Sequence, residues 1–444
     1  MKQLATIIRN SAIATAMCAM VVPAFAQEST EPTDSTSKEI TGWGDWKLFL
    51  DPGHSGTENR GLWGYSEAEK VLSIALTIKE YLTSYSDMPE DCLMLCREDE
   101  NTVVDLGERS DMANAWGADF YYSIHSDASG NNNTTVTLFG GWMSNGVETE
   151  KTPNGGKAYG EILNPNLTNV MKEFAVTGTR GNYYDRCYYY PGETHHANQY
   201  PYLSVNRESN MASLLSEGGY HTIAAQQQLN INAEYKRIEA LAAFQSLLKH
   251  HGLKVPAQTM LAGVISNSEN QVPINGVTVT VDGKTYTTDT YESAFSRFTK
   301  NENLIHNGFY LFEGLTAGQT YDVTFTAEGF SPVTKQVTIK DGAQGETVDY
   351  VTIADVEMTN VAPAKVHGMC QSFFNGDLQT AMKIQREAQP LVSALFSEVN
   401  PIPVKKALNL MGREVGTLRS PLTEMTDANA AVLADAMKAY GILD

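Results

Sequence analysis

The chain has 444 residues, 42% of them hydrophobic, with 52 acidic against 32 basic side chains and a formal net charge of −20. Its length exceeds what one compact core organises and implies two or three domains. Its acidity excludes nucleic acid and anionic membrane as partners.

Residues 1–26 read as a signal peptide. Lys2 and Arg9 precede an apolar stretch from Ile13 to Val22, and Ala24-Phe25-Ala26 puts small residues where a signal peptidase reads. The apolar run is too short to span a bilayer comfortably, so the mature chain is expected to be periplasmic or extracellular, with no transmembrane segment. Cys18 follows Met17, which does not suit a lipoprotein cleavage site. Residues 27–42, rich in Ser, Thr, Glu and Asp, form a flexible leader.

From 43 to 253 short apolar runs alternate with stretches of helical period. Strands are expected at Trp46–Asp51, Cys92–Arg97, Asp119–Ser126, Thr134–Trp142 and Ala212–Glu217. Helices are expected at Glu69–Leu82, Leu106–Trp116, Lys157–Phe174 and Ala233–Lys249. That alternation predicts an α/β domain with a mainly parallel, covered sheet. Cys92 and Cys96, about 13 Å apart in an extended run, are too distant for a mutual disulfide and read as buried thiols.

Four stretches of this region carry chemistry. Leu48-Phe49-Leu50-Asp51 is broken by Pro52-Gly53, which places His54 at the mouth of the sheet. Ser66-Glu67-Ala68-Glu69 puts carboxylates at the start of the next helix, and Phe120–Ser126 ends a strand in His125. Two imidazoles and one carboxylate at element ends, with one position open, make the ligand set of a catalytic zinc site. Glu217, ahead of Gly218-Gly219, adds a carboxylate suited to general-base work.

Pro256 marks a boundary, after which period-two alternation (Val277, Val279, Val281; Tyr321, Val323, Phe325) and the hairpin signal Asp282-Gly283 predict a small β-sandwich over 257–359. Residues 360–444 return to helical period, with Thr426 as the expected cap of a final helix.

Together the four stretches resemble the zinc-dependent N-acetylmuramoyl-L-alanine amidases of the family-3 type, over about 44–250. The family's pattern is a strand ending in Asp-Pro-Gly-His, a helix-initial Glu, a strand ending in Ser-Ile-His and a late strand ending in Glu-Gly. The connecting text, Arg97, Leu106-Gly107-Glu108-Arg109 and Gly117-Ala118-Asp119, matches too. The resemblance implies zinc ligands His54, Glu69 and His125, with Glu217 as catalytic carboxylate, Arg207 as a cation steadying a carbonyl or carboxylate, and peptidoglycan as substrate. Glu69 is preferred to Glu67 because Leu72, Ile74, Ala75 and Ile78 then fall on the family's apolar helix positions. Ser55 departs from the family, which has a second glycine there. A long insertion-like region, Thr134–Pro201, carries Tyr188-Tyr189-Tyr190 and His195-His196 and suits either a groove for sugar and peptide or a loop packing on its own domain. A non-catalytic wall-binding protein and a zinc hydrolase of another amide are the rival readings.

Two further resemblances follow. Gly308–Leu315 with Gly318–Tyr321 is similar to the carboxypeptidase regulatory-like sandwich, which implies a spacer or wall-contacting module. Gly376-Asp377-Leu378, Asn400–Lys405 and Leu418–Leu422 resemble the C-terminal helices of dihydrodipicolinate synthase. That enzyme needs a barrel with a Schiff-base lysine, and no stretch here resembles it. The tail is therefore expected to be a helical remnant without lyase activity.

Overall fold

The computed structural model describes residues 42–443 apart from 129, 193–198, 256–257, 289–305, 328–329, 341–350, 359–368, 370–371, 375 and 414. The expected signal peptide, the leader up to residue 41, and His195-His196 lie outside the described residues. No helix among the described residues is long and apolar enough to cross a membrane.

Strands β1 (Leu48–Pro52), β2 (Leu93–Leu95), β3 (Phe120–Asp127), β4 (Thr134–Phe139), β5 (Gly141–Ser144), β6 (Val147–Glu150), β7 (Gly178–Tyr184) and β8 (Ala212–Tyr220) come first. Interleaved with them are α1 (Glu67–Tyr85), α2 (Leu106–Trp116), α3 (Gly156–Met171), α4 (Asp185–Tyr189), α5 (Ser204–Glu208), α6 (Ala224–Ile231) and α7 (Tyr235–His250). Six of the strands form one sheet in the order β2-β1-β3-β8-β4-β7, and β5 pairs with β6 as a separate hairpin. Every neighbour in the large sheet is parallel except β8 and β4. The mainly parallel sheet expected from the alternation of elements is present, and β7 is a strand that the pattern did not reveal.

Both faces of this sheet are covered, which is why its central strands carry apolar side chains on both faces. Leu48, Leu50, Tyr122, Ile124 and Leu214 point into one core, shared with α1, α3 and α7. Phe49, Tyr121, Val136, Leu138 and Leu215 point into the other, with Ala113 of α2 and Val205 of α5. The period of two thus sorts each strand between two cores rather than between core and water. Each fully buried Leu or Phe is worth roughly 1.5–3 kcal/mol, so the strand ends that carry the polar site rest on a stiff base.

One charged pair is buried inside this layer. Lys70 of α1 and Glu239 of α7 meet at 2.8 Å with both side chains almost inaccessible, and Lys70 also donates to the Gly218 carbonyl. Desolvation cancels most of the attraction in such a pair. Its geometric effect is to hold the backbone directly after Glu217.

The second region contains β9 (Met260–Asn267), β10 (Thr278–Val281), β11 (Lys284–Thr287), β12 (Phe309–Glu313), β13 (Thr320–Thr326), β14 (Val333–Thr338), β15 (Val351–Ile353) and β16 (Val356–Met358). They form two sheets, β11-β10-β13-β14 and β12-β9-β15 with β16 added to β9. Asp282 and Gly283 both adopt positive φ, 49° and 74°, and close the β10–β11 hairpin that the dipeptide signals. Leu261, Ile265, Tyr310 and Phe312 face a core shared with Val279, Val281, Val323 and Phe325 of the other sheet. Their alternates, Met260, Ala262, Phe309 and Leu311, belong instead to the large core of the first region, against Phe174 and Tyr235. Arg237 bridges the same boundary, pairing with Glu313 at 2.9 Å and Glu80 at 3.0 Å. The composition break at Pro256 suggested a separate module; the sheet beyond it is packed on both faces.

The tail helices α8 (Leu378–Leu395), α9 (Ile402–Leu410) and α10 (Asp427–Tyr440) enclose a small core of their own around Leu391, Ile402, Leu433 and Met437. Thr426 is the residue before α10, as expected, but its hydroxyl donates to Glu398 at 2.8 Å rather than accepting from the helix.

Candidate metal centre

β1 and β3 run side by side, with Asp51 beside Ser123 and Pro52 beside Ile124, and β3 continues past the end of β1 to Asp127. The chain leaves β1 through Gly53, and at His54 it takes φ = 58°, a conformation that a residue with a side chain adopts at some cost. Two guanidinium groups hold it there. Arg109 donates to Asp51 Oδ1 (2.6 Å), the Pro52 carbonyl (2.9 Å), Ser55 Oγ (3.0 Å) and the His54 carbonyl. Arg97 donates to the carbonyls of His54 (2.9 Å), Gly53 (3.1 Å) and Ala68 (2.8 Å), tying the loop to the first turn of α1. Burial opposes charge on Asp51, yet the Arg109 guanidinium and the Ser123 hydroxyl outweigh it and hold its pKa below the usual range. Ser55 accepts from the Val104 N–H at 3.1 Å, so the hydroxyl replacing glycine fastens the loop to the segment before α2.

Gly53 has a second role. A Cβ there would lie 2.3 Å from the His125 ring, so only glycine lets the two strand ends bring their imidazoles together. The rings of His54 and His125 are 5.1 Å apart and inclined at 75°.

The carboxylate between them belongs to Glu67. Its Oε1 lies 2.9 Å from His125 Nδ1 and accepts the Ser126 N–H at 2.7 Å, and its Oε2 lies 3.2 Å from His54 Nε2. Glu69, which the apolar register selected, is elsewhere. It is the third residue of α1, and its carboxylate turns back to accept the Ser66 N–H (2.8 Å) and hydroxyl (2.9 Å) in a capping box. The carboxylate that meets both imidazoles is thus Glu67 rather than the Glu69 expected from the sequence, because the capping box turns Glu69 back onto Ser66. Burial opposes charge on Glu67, but hydrogen bonds from His125 and His54 prevail and carry its pKa well below the usual value. Burial likewise opposes protonation of His54, and Glu67 more than compensates, raising its pKa.

One donor atom each from His54, Glu67 and His125 lies within 4.8 Å of the other two, which makes this a group able to hold a metal ion. Two nitrogens and one oxygen on three separate elements, with His54 partly open to solvent, fit a zinc ion that keeps a free coordination position.

Glu217 is paired in register with His125 across β3 and β8. Among the described residues its Oε2 is buried without a hydrogen-bond partner. Burial, reinforced by the nearby Glu67 and Asp127 carboxylates and opposed by Lys70, raises its pKa well above the ordinary carboxylate value. Arg207, by contrast, sits on α5 before β8 begins. It donates to the Tyr202 carbonyl (2.7 Å) and to Glu208 (3.1 Å), and neither partner belongs to the cluster.

Sequence reasoning missed two polar neighbours. Asn59 donates to Glu67 Oε2. His221, buried, is 3.8 Å from the same oxygen and bonds through Nδ1 to the Ser126 carbonyl at 2.8 Å. His221 stands just past the Glu-Gly-Gly-Tyr strand end, a position that could have marked it; Asn59 carries no comparable signal.

Comparison with known proteins gives two separate matches. Residues 48–249 match the model of the N-acetylmuramoyl-L-alanine amidase family, and residues 351–440 that of the dihydrodipicolinate synthetase family. Among solved structures, an N-acetylmuramoyl-L-alanine amidase from Clostridium difficile 630 is 24% identical, covering 47% of this chain and 97% of that one, with a TM-score of 0.37. The amidase AmiC2 of Nostoc punctiforme is 22% identical, covering 48% of this chain and 99% of that one, with a TM-score of 0.36. Among curated proteins, the 4-hydroxy-tetrahydrodipicolinate synthase of Lachnoclostridium phytofermentans is 57% identical over 86 residues, 19% of this chain and 29% of that protein. The corresponding enzyme of Thermoanaerobacter sp. is 39% identical over 126 residues, 28% of this chain and 42% of that protein. The chain thus spans less than half the length of these curated relatives. In its site-bearing part the chain resembles the N-acetylmuramoyl-L-alanine amidases, and in its tail the dihydrodipicolinate synthetase family.

Proposed function

We propose that this protein is an exported, zinc-dependent N-acetylmuramoyl-L-alanine amidase of peptidoglycan, with His54, Glu67 and His125 as zinc ligands and Glu217 as general base. The observation that carries the reading is the meeting of two imidazoles and a carboxylate within 4.8 Å, beside a second carboxylate whose buried Oε2 has no hydrogen-bond partner among the described residues. Bound there, zinc supplies the Lewis acidity that polarises an amide carbonyl and acidifies a water molecule near neutral pH. Glu217 accepts the proton of the attacking water at Oε2 and delivers it to the departing alanine nitrogen, which splits the amide into a muramoyl acid and a free amine. Arg97 and Arg109 keep His54 in its left-handed conformation. The Ser126 N–H and Asn59 orient Glu67. Arg207, held by Tyr202 and Glu208, is given no part at the reacting atoms. The tail is assigned no lyase activity, since the chain spans only 29% and 42% of the first two synthases.

The test is mass analysis of purified muropeptides incubated with the full chain. With zinc, the expected result is separation of the muramoyl sugar from an intact peptide starting with alanine, and chelation should stop it. Intact muropeptides after incubation with zinc-loaded protein would remove the amidase reading and leave wall binding in its place.

Gly53→Ala offers an independent check on the ligand set. Displacing His125 by a methyl group 2.3 Å from its ring is expected to weaken zinc binding by about 10–100-fold, measured by competition with a chromogenic chelator. Unchanged affinity would show that His125 does not bind the ion.

A further inference from the structure

We propose that Arg180, braced by Tyr188 and Tyr220, is a receptor for a carboxylate on the peptide released from the amide site, on that peptide's second or third residue. The inference deepens the amidase reading and rests on it.

The register of the sheet locates the group. His125 pairs with Glu217, Glu217 with Val136, and Val136 with Gly181, so the four lie in one row across β3, β8, β4 and β7. At about 4.8 Å per strand, Gly181 is roughly 10 Å from Glu217 and roughly 14 Å from His125. The β4–β7 register then slips. Thr135 faces Thr179 while Val136 faces Gly181, leaving Arg180 as the extra residue of a β-bulge, with Gly181 at φ = 103°. Bulges re-aim a side chain that regular pairing would fix to one face. Here the re-aimed side chain is an exposed arginine next to the row of the candidate catalytic carboxylate.

Its environment suits an anion. Arg180 Nη1 donates to the Tyr188 hydroxyl at 2.6 Å, and the guanidinium lies 5.8 Å from the Tyr188 ring centroid and 5.7 Å from that of Tyr220. Two aromatic faces hold the group in one orientation, so little freedom remains to be lost on binding. A fixed guanidinium fork matches a carboxylate with two parallel hydrogen bonds. The neighbouring carboxylate that Arg180 already feels is Asp127, which accepts the Ala128 N–H at 2.7 Å and is hydrogen-bonded to the Tyr220 hydroxyl. In a chain of net charge −20, a braced cation beside this site is conspicuous. Extended peptide covers about 3.3–3.6 Å per residue. The gap from Glu217 is therefore bridged by two or three residues, counted from the alanine whose nitrogen departs.

The test uses pairs of muropeptides identical except that the carboxylate of the second, or of the third, peptide residue is converted to the carboxamide. Zinc-loaded wild-type protein is expected to favour the free acid at one of these positions by about tenfold or more in kcat/KM, chiefly through KM. Arg180→Gln should level acid and amide to within about twofold, and Arg180→Lys should restore part of the preference. Equal cleavage of acid and amide by the wild type overturns the receptor and leaves the amidase reading standing. So does a variant that melts earlier yet keeps the preference, which would make Arg180 a structural partner of Asp127. If the wild type cleaves none of them, the amidase reading fails. The receptor is then decided by calorimetry with the free alanyl peptides, where equal affinity for acid and amide overturns it.

Discussion

Glu217→Gln is expected to lower kcat on muropeptides by about 10²–10⁴-fold, the usual share of a positioned acid–base group, while zinc content stays at the wild-type level. The substitution keeps the shape of the side chain and removes the atom that takes the proton. Oε2 of Glu217 is buried without a partner among the described residues, so no protein hydrogen bond is broken when the oxygen is exchanged. The variant should melt no earlier than wild type, because a buried negative charge near Glu67 and Asp127 is gone. Turnover at saturating muropeptide, metal content and Tm check the three parts. A wild-type rate would move the proton transfer to another group.

The second large effect separates two carboxylates two residues apart. Glu67→Ala removes one of three donors and is expected to cost more than the 10–100-fold in zinc affinity typical of losing a mere supporting partner. Activity should vanish at limiting zinc. Glu69→Ala removes half of a capping box and should cost about 0.5–2 kcal/mol of stability, with zinc affinity near wild type. Glu69→Gln should be milder still, since glutamine serves the same cap. Metal titration and thermal melts on the same samples tell these outcomes apart. If Glu69→Ala lost the metal and Glu67→Ala kept it, the apolar register would have been the better guide.

That pair also shows where the sequence was readable. The sequence singles out His54, His125 and Glu217 because each follows a run of buried apolar strand residues, and the C-terminal ends of parallel strands gather at one edge of the sheet. Glu67 was passed over because helix periodicity ranks positions by burial, whereas the competition in a first turn is between capping and projection. Ser66-Glu67-Ala68-Glu69 contains the Ser-x-x-Glu signature, which commits Glu69 to the cap and could have settled the choice. The supporting roles of Arg97 and Arg109 were not legible. Both hold the His54 loop through backbone carbonyls 43 to 57 residues away, which no spacing rule encodes. Nor was the bulge at Arg180, since β7 buries only the last of its seven residues and shows no alternation.

The sheet of β9 and β12 carries a consequence for how this chain comes apart. Because Met260, Ala262, Phe309 and Leu311 fill the same core as Tyr235 and Phe244, neither neighbour can open without uncovering apolar surface on the other. The two regions therefore share one cooperative unit, and a chain cut at Pro256 would present the vacated face of α7 to solvent as a sticky patch.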